Sequence, residues 1–192
     1  LYEGVFPELP CFGRINFYVT AEEEINGVFY DTDPSEPHEA VVIEERATLF
    51  HDDFELDQGW TVYGDAEEGT WERGVPIGGG DRGDPPTDYD GSGNCYLTYN
   101  MDGNSDVDFG TTNLVSPTFD LSTGNGEVSY TRWYSNYLGY TQDDVMNVYI
   151  SNDNGSDWTL VETVGPTGPG TTGGWITKTL WAGDYVEASD QM

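Results

Sequence analysis

Asp102-Gly103-Asn104-Ser105-Asp106-Val107-Asp108 sets oxygen-bearing side chains at alternate positions, in the pattern D-x-N-x-D-x-D. Hard cations such as Ca²⁺ take roughly six to eight oxygen ligands, and alternate residues of a curled loop can aim several at one centre. An EF-hand loop opens this way. Here, however, Val107 stands where the sharp turn needs Gly and Asn113 where the bidentate Glu belongs. An EF-hand is excluded, and a calcium loop through Asp102, Asn104, Asp106 and Asp108 is the expectation. The plainer alternative is a solvated acidic turn, whose carboxylates would repel one another.

The stretch Gly78 to Gly93 is a second candidate, a long loop stiffened by Pro85-Pro86 and rich in Gly and Asp. Loops of this length in compact domains are usually functional or disordered, and the prolines with the following Tyr89 favour an ordered one. Its glycines suggest a phosphate cradle, but no Gly-Lys-Ser/Thr follows and the loop is acidic, so phosphate is rejected. A second cation site, a sugar-facing loop and plain structure remain, with plain structure preferred. Ser151-Asn152-Asp153-Asn154-Gly155-Ser156-Asp157-Trp158 follows the Asp-box pattern S-x-D-x-G-x-x-W, and resembles the hairpin turns of sialidases, where it is a fold element. Asn154-Gly155 is a tight-turn pair, so a structural hairpin is expected.

Nothing selects a catalytic centre. The only histidines are His38 and His51, and without His-Glu-x-x-His no zinc hydrolase site is encoded. No Gly-x-Ser-x-Gly elbow is present. A glycosidase pair needs only proximity in space, and no two of the 36 Asp and Glu are singled out by spacing. The chain therefore reads as no enzyme. Of the Trp residues, core candidates first, Trp60, Trp71, Trp133 and Trp175 could offer a sugar-stacking platform if exposed.

The net charge is −30, from 36 Asp+Glu against 6 Lys+Arg. Such a chain repels nucleic acid, which binds through clustered Lys and Arg. An acidic excess often marks a disordered tail, but 14% aromatic residues are what a packed core needs. The acid then lies on a folded surface, offset by bound divalent cations or by a saline environment. No apolar run approaches the ~20 residues of a membrane span. With Leu1 in place of Met, the true start is expected upstream. Cys11 and Cys95 are too few for a disulfide framework, and two buried thiols are preferred to a bridge.

The elements that must hold these loops are strands. Ile15, Phe17 and Val19 alternate with polar neighbours, as do Cys95, Leu97 and Tyr99, and Met146, Val148 and Ile150. That is the period of a half-buried strand. Val128–Tyr134, Val161 and Trp175–Trp181 are rich in β-formers. The one plausible helix, Glu39–Phe50, reads equally as a strand at Val41-Val42-Ile43. A boundary is expected near residues 46–52. Residues 1–46 then hold two or three strands (Tyr2–Phe6, Arg14–Ala21 and Val41–Glu45), joined by the polar loop 31–37. Residues 47–192 hold about seven, the number for a jelly-roll sandwich.

Taken as a set, Asp52-Asp53-Phe54-Glu55 with Gly59-Trp60, Trp71-Glu72-Arg73-Gly74-Val75-Pro76, the Gly-Asp-Arg-Gly-Asp-Pro-Pro loop, Leu114-Val115-Ser116-Pro117-Thr118-Phe119-Asp120-Leu121 and Arg132-Trp133-Tyr134 are familiar. From about residue 50 onward the chain resembles the jelly-roll accessory domains of secreted bacterial proteins. These are similar in architecture to MAM and concanavalin-like sandwiches, and they follow zinc carboxypeptidases or immune-inhibitor-type metallopeptidases. The resemblance implies an all-β antiparallel jelly roll and a structural Ca²⁺, and it adds Asp53 and Glu55 to the candidate ligands. Residues 1–46 look similar to part of a fibronectin- or immunoglobulin-like module. Family members continue past the segment resembling Val186–Met192 into closing strands, so a fragment lacking its last strands is expected. What the resemblance implies is a calcium-stabilised binding, adhesion or spacer module, secreted or on the cell surface. Its expected partners are neighbouring domains or subunits and a glycan or cell surface. The alternative is an appendage of a secreted hydrolase whose catalytic domain lies elsewhere.

Overall fold

A computed structural model describes residues 8–10, 13–23, 27–42, 47–78, 81–138 and 141–192. The chain divides into two units, Leu1–Leu49 and Phe50–Met192. Among the described residues the fold is all-β, with twelve strands and a single 3-10 turn at Ala182–Asp184. No helix among them is long and apolar enough to cross a membrane.

In the first unit β1 (Arg14–Phe17) pairs antiparallel with β4 (His38–Val41), and β2 (Thr20–Glu23) with β3 (Gly27–Tyr30). Ile15 and Phe17 turn inward relative to Arg14 and Asn16, as the alternation requires. The single strand expected over Arg14–Ala21 is broken at Tyr18-Val19. There Asp31 holds the chain, accepting the Val19 N–H on its carboxylate at 2.7 Å and donating its own N–H to Val19 O at 3.0 Å. Val19, expected inside, is consequently 59% exposed. The Glu39–Phe50 segment opens on strand β4 rather than on a helix. Expected strand Tyr2–Phe6, residues 43–45 and Cys11 lie outside the described residues.

In the second unit β5 (Thr61–Gly64) pairs with β8 (Thr112–Val115), and β6 (Trp71–Gly74) with β7 (Cys95–Thr98). A bond from Trp71 N–H to Thr112 Oγ1, at 3.1 Å, ties these two ribbons together. β10 (Met146–Ile150) and β11 (Thr159–Val164) form the hairpin around the Asp-box. β9 (Glu127–Ser135) and β12 (Thr172–Trp181) form the longest ribbon, with Trp133 directly opposite Trp175. All these pairs are antiparallel two-stranded ribbons. The C-terminal residues are also paired, Met192 and Phe119 exchanging both backbone bonds at 2.8 and 3.0 Å.

The β9–β12 ribbon organises this unit because its two faces differ. Tyr130, Arg132 and Tyr134 share one face by alternation, and Tyr130 and Arg132 both reach Glu162 of β11. Trp133 and Ser135 share the other face, where they meet the long Gly-Pro loop. Gly83 is required at that meeting point. Its φ is +81°, and a Cβ there would stand 2.5 Å from Ser135 Oγ.

The apolar core is thin. Cys95, Leu97, Val164 and Ala182 are the buried apolar residues among those described, and no large side chain is wholly buried. Trp60, Tyr130 and Tyr134 are half-buried and their polar ends have partners: Trp60 N–H on Asp52 at 2.8 Å, Tyr130 O–H on Glu162 at 2.8 Å, Tyr134 O–H on the Asp144 carbonyl at 2.8 Å. Polar anchoring of this kind carries much of the packing that a larger core would otherwise supply.

Candidate functional site

In the Asp102–Asp108 loop two of the four candidate side chains, Asn104 and Asp106, meet Arg82. The Arg82 Nε–H donates to Asn104 Oδ1 at 2.7 Å, and its Nη2 pairs with Asp106 at 3.0 Å. Buried Ser105 donates its hydroxyl to Asp84. Asp108 is paired through its backbone to Glu68, N to O at 3.2 Å, and Asp102 is exposed. Asp53 accepts the Glu55 N–H at 3.1 Å. Glu55 is spent on Asn94, taking its backbone N–H and, at 2.9 Å, its side-chain amide. The donor chemistry suits Ca²⁺, but Asn104, Asp106, Asp53 and Glu55 already accept from protein N–H groups. Among the described residues no three His, Cys, Asp or Glu side chains converge as a metal ion requires.

Two carboxylates not foreseen from the sequence join this region. Burial and the charge of Asp106 raise the Asp84 carboxyl above its ordinary range, against the Ser105 hydrogen bond. Burial and the charges of Asp106, Asp143 and Asp108 do the same to Asp144, with Arg82 opposing. Acid is crowded here beyond what one arginine neutralises.

Residues 81–93 of the long loop are held from several directions. Ser135 donates to the Arg82 carbonyl, Trp133 Nε1–H to Gly83 O at 2.9 Å, and Trp175 Nε1–H to Thr87 O at 3.2 Å. Buried Asp88 closes its far end, accepting Gly93 N–H at 2.9 Å and the Ser92 hydroxyl at 3.2 Å. The result is an open groove of about 510 Å³ between Val75-Pro76 and residues 86–93. Tyr89 stands in it, 59% exposed, its ring edge-on to Trp175 with centroids 6.1 Å apart at 67°.

The chain matches no family model, no curated protein and no solved structure.

Trp60, Trp71, Trp133 and Trp175 are all half-buried. Trp60 packs against Phe54 and Tyr96 at 5.4 and 6.1 Å. Tyr89, by contrast, is exposed between Asp88 and Asp90, and its place in the loop after Pro85-Pro86 was its only signal. Of the histidines, His38 pairs with Asp31 at 2.9 Å and His51 is exposed. Cys95 is a buried free thiol pushed up to about 12 by burial and then by the Asp88 charge.

A third polar cluster had no local signature. Glu162 accepts Arg132 Nε–H at 3.0 Å, Arg132 Nη2–H at 2.6 Å and Tyr130 O–H at 2.8 Å, with Lys178 Nζ at 3.5 Å. The Arg132 hydrogen bonds hold its carboxyl at about 2, helped by Tyr130 and the charges of Arg132 and Lys178, against desolvation. Burial and the same carboxylate push the Tyr130 phenol well up.

Proposed function

We propose that the second unit is a non-catalytic binding module whose groove at Tyr89 takes a glycan. One observation carries this reading: an exposed aromatic ring, seated on a second ring and flanked by carboxylates, in a loop anchored too firmly to be a passive linker. A sugar stacks its C–H face on such a ring while Asp90 and backbone groups accept its hydroxyls. The rings of Tyr89 and Trp175 are edge to face rather than coplanar, so the platform is Tyr89 alone. The motif order from Asp52 to Tyr134 supports a jelly roll appended to a secreted or cell-surface protein, as beside a zinc carboxypeptidase-type peptidase.

Calorimetric titration with a panel of oligosaccharides tests the reading. Tyr89→Ala should weaken binding about tenfold or more, while Tyr149→Ala, at another exposed tyrosine, leaves it unchanged. No binding by any glycan, or equal binding by both variants, would refute it.

Calcium enters in a narrower form, supported by the crowding of Asp84, Asp106, Asp108 and Asp144 around Arg82. Ca²⁺ would compete with the guanidinium for Asn104 and Asp106. A ligand of the native state raises the melting temperature by mass action, so melts with millimolar Ca²⁺ should exceed those in EDTA. Arg82→Gln should enlarge the difference. Superimposed melts for both proteins, starting metal-free, would remove calcium from the proposal.

A further inference from the structure

The face of the β9–β12 ribbon turned away from the Gly-Pro loop borders a cavity of about 270 Å³. Arg132, Glu162, Gly165, Gly170, Ile176 and Lys178 line it. The Arg132 side chain is only 10% exposed. Its Nε and Nη2 are committed to Glu162, but among the described residues Nη1 is buried and has no hydrogen-bond partner. Nη1 carries two N–H donors of a permanent cation. Burying such donors unmet is costly, so Nη1 calls for an acceptor.

The surroundings say which acceptor. Arg132 and Lys178 supply two positive charges against the single negative charge of Glu162, an excess of one within a chain of net charge −30. The charge of the rest of the chain is screened over about 8–10 Å at physiological salt, so the local balance governs. Gly170 closes over the guanidinium: a Cβ there would lie 3.1 Å from Ile176 Cδ1 and 3.5 Å from Arg132 Nη1. Lys178, with its side chain 47% exposed, offers a second donor that can move. The volume lies just below the ~300 Å³ where small-molecule sites begin, so the ligand has only a few heavy atoms. A dianionic phosphate would leave surplus negative charge against Glu162; a monoanion balances it.

We propose that this pocket binds a small monocarboxylate, with Arg132 Nη1 and Lys178 Nζ as donors and Glu162 as the counter-charge that fixes the guanidinium. The site is independent of the groove at Tyr89, and nothing in it rests on the glycan reading.

Side-chain NMR on the full chain tests it. The chain has five arginines, so the Nε–Hε correlations are few, and Arg132→Lys identifies the one that matters. Titration with sodium acetate, against sodium chloride at equal ionic strength, should shift the Arg132 signal saturably with acetate alone. Lys178→Gln, a half-exposed change that leaves the Arg132–Glu162 pair intact, should weaken acetate about tenfold by removing one charge-assisted hydrogen bond. The absence of a saturable shift, an equal shift with chloride, or unaltered acetate affinity in Lys178→Gln would each overturn the proposal.

Discussion

Trp133 and Trp175 lie opposite each other on the β9–β12 ribbon, ring centroids 5.6 Å apart and planes at 71°, and each donates its indole N–H to the same loop. Trp133 reaches Gly83 O and Trp175 reaches Thr87 O. Alternation along two paired strands aims both rings to one side. Between Thr172 and Trp175 the register shifts, at Gly173-Gly174, and this brings Trp175 level with its partner. A cross-strand pair thereby serves as the latch of a loop more than forty residues away in sequence, and it positions Tyr89.

Removing either latch should loosen the loop before it harms the ribbon. Trp133→Phe keeps most of the ring but leaves the Gly83 carbonyl without its donor, at a cost of about 0.5–1.5 kcal/mol. Trp175→Phe does the same at Thr87 and also disturbs the support of Tyr89. Hydrogen exchange should accelerate over residues 81–93 in both variants, with little change in β10–β11. Unaltered exchange in that loop would show that the prolines alone hold it.

The buried thiol of Cys95 should be inert in the folded protein. With its pKa pushed up to about 12 by burial and the Asp88 charge, about one molecule in ten thousand carries the reactive thiolate near pH 8. Labelling of the Cys95 peptide by iodoacetamide should be negligible in buffer and rapid in guanidinium. Native labelling as fast as that of a free peptide thiol would mean the site opens readily.

What the sequence disclosed was periodic, and what it hid was long-range. Met146, Val148 and Ile150 announced a strand because burial alternates along it, and the Asp-box announced its hairpin because Asn154 and Gly155 accept φ values of 57° and 80°. The β2–β3 ribbon also had a signal, the tight-turn pair Asn26-Gly27 of the sequence. Of the Asp102–Asp108 pattern, Asn104 and Asp106 meet an arginine from about twenty residues upstream, and spacing cannot tell a guanidinium from a metal. Glu162, Arg132 and Lys178 come from three strands and share no pattern. Their meeting is a property of the fold.

The Asp-box should tolerate neither of two small changes. Asp153 Oδ1 accepts both the Ser151 hydroxyl at 2.8 Å and the Asp157 N–H at 2.9 Å, while Gly155 sits over the Trp158 ring. Gly155→Ala puts a Cβ 3.0 Å from that ring at a positive φ, and should cost about 1–2 kcal/mol. Asp153→Ala should cost about 1 kcal/mol by releasing the turn. Both are read in thermal melts. Variants melting with the wild type would show that the β-ladder holds the hairpin without its turn.

The last prediction concerns acid. The Glu162 carboxyl lies at about 2 in the folded protein against an ordinary 4.5. A depressed folded value means that the unfolded chain takes up the proton first. The stabilisation is therefore fully present above the ordinary value, drains as pH falls from 4.5 towards 2, and is gone below both. The wild type alone cannot display this, because acidification also discharges a chain of net charge −30 and relieves its self-repulsion. Comparison with Glu162→Gln cancels that common effect. Gln keeps one acceptor for Arg132 but no charge, so the variant should lose about 1.5–3 kcal/mol near neutral pH, with half-exposed Lys178 contributing little. The gap between the two melting temperatures should be widest at about pH 6–8, shrink below about pH 4 and close near pH 2. A gap of the same size at about pH 3 and pH 7 would mean that Glu162 acts through its shape and hydrogen bonds, with its charge playing no part.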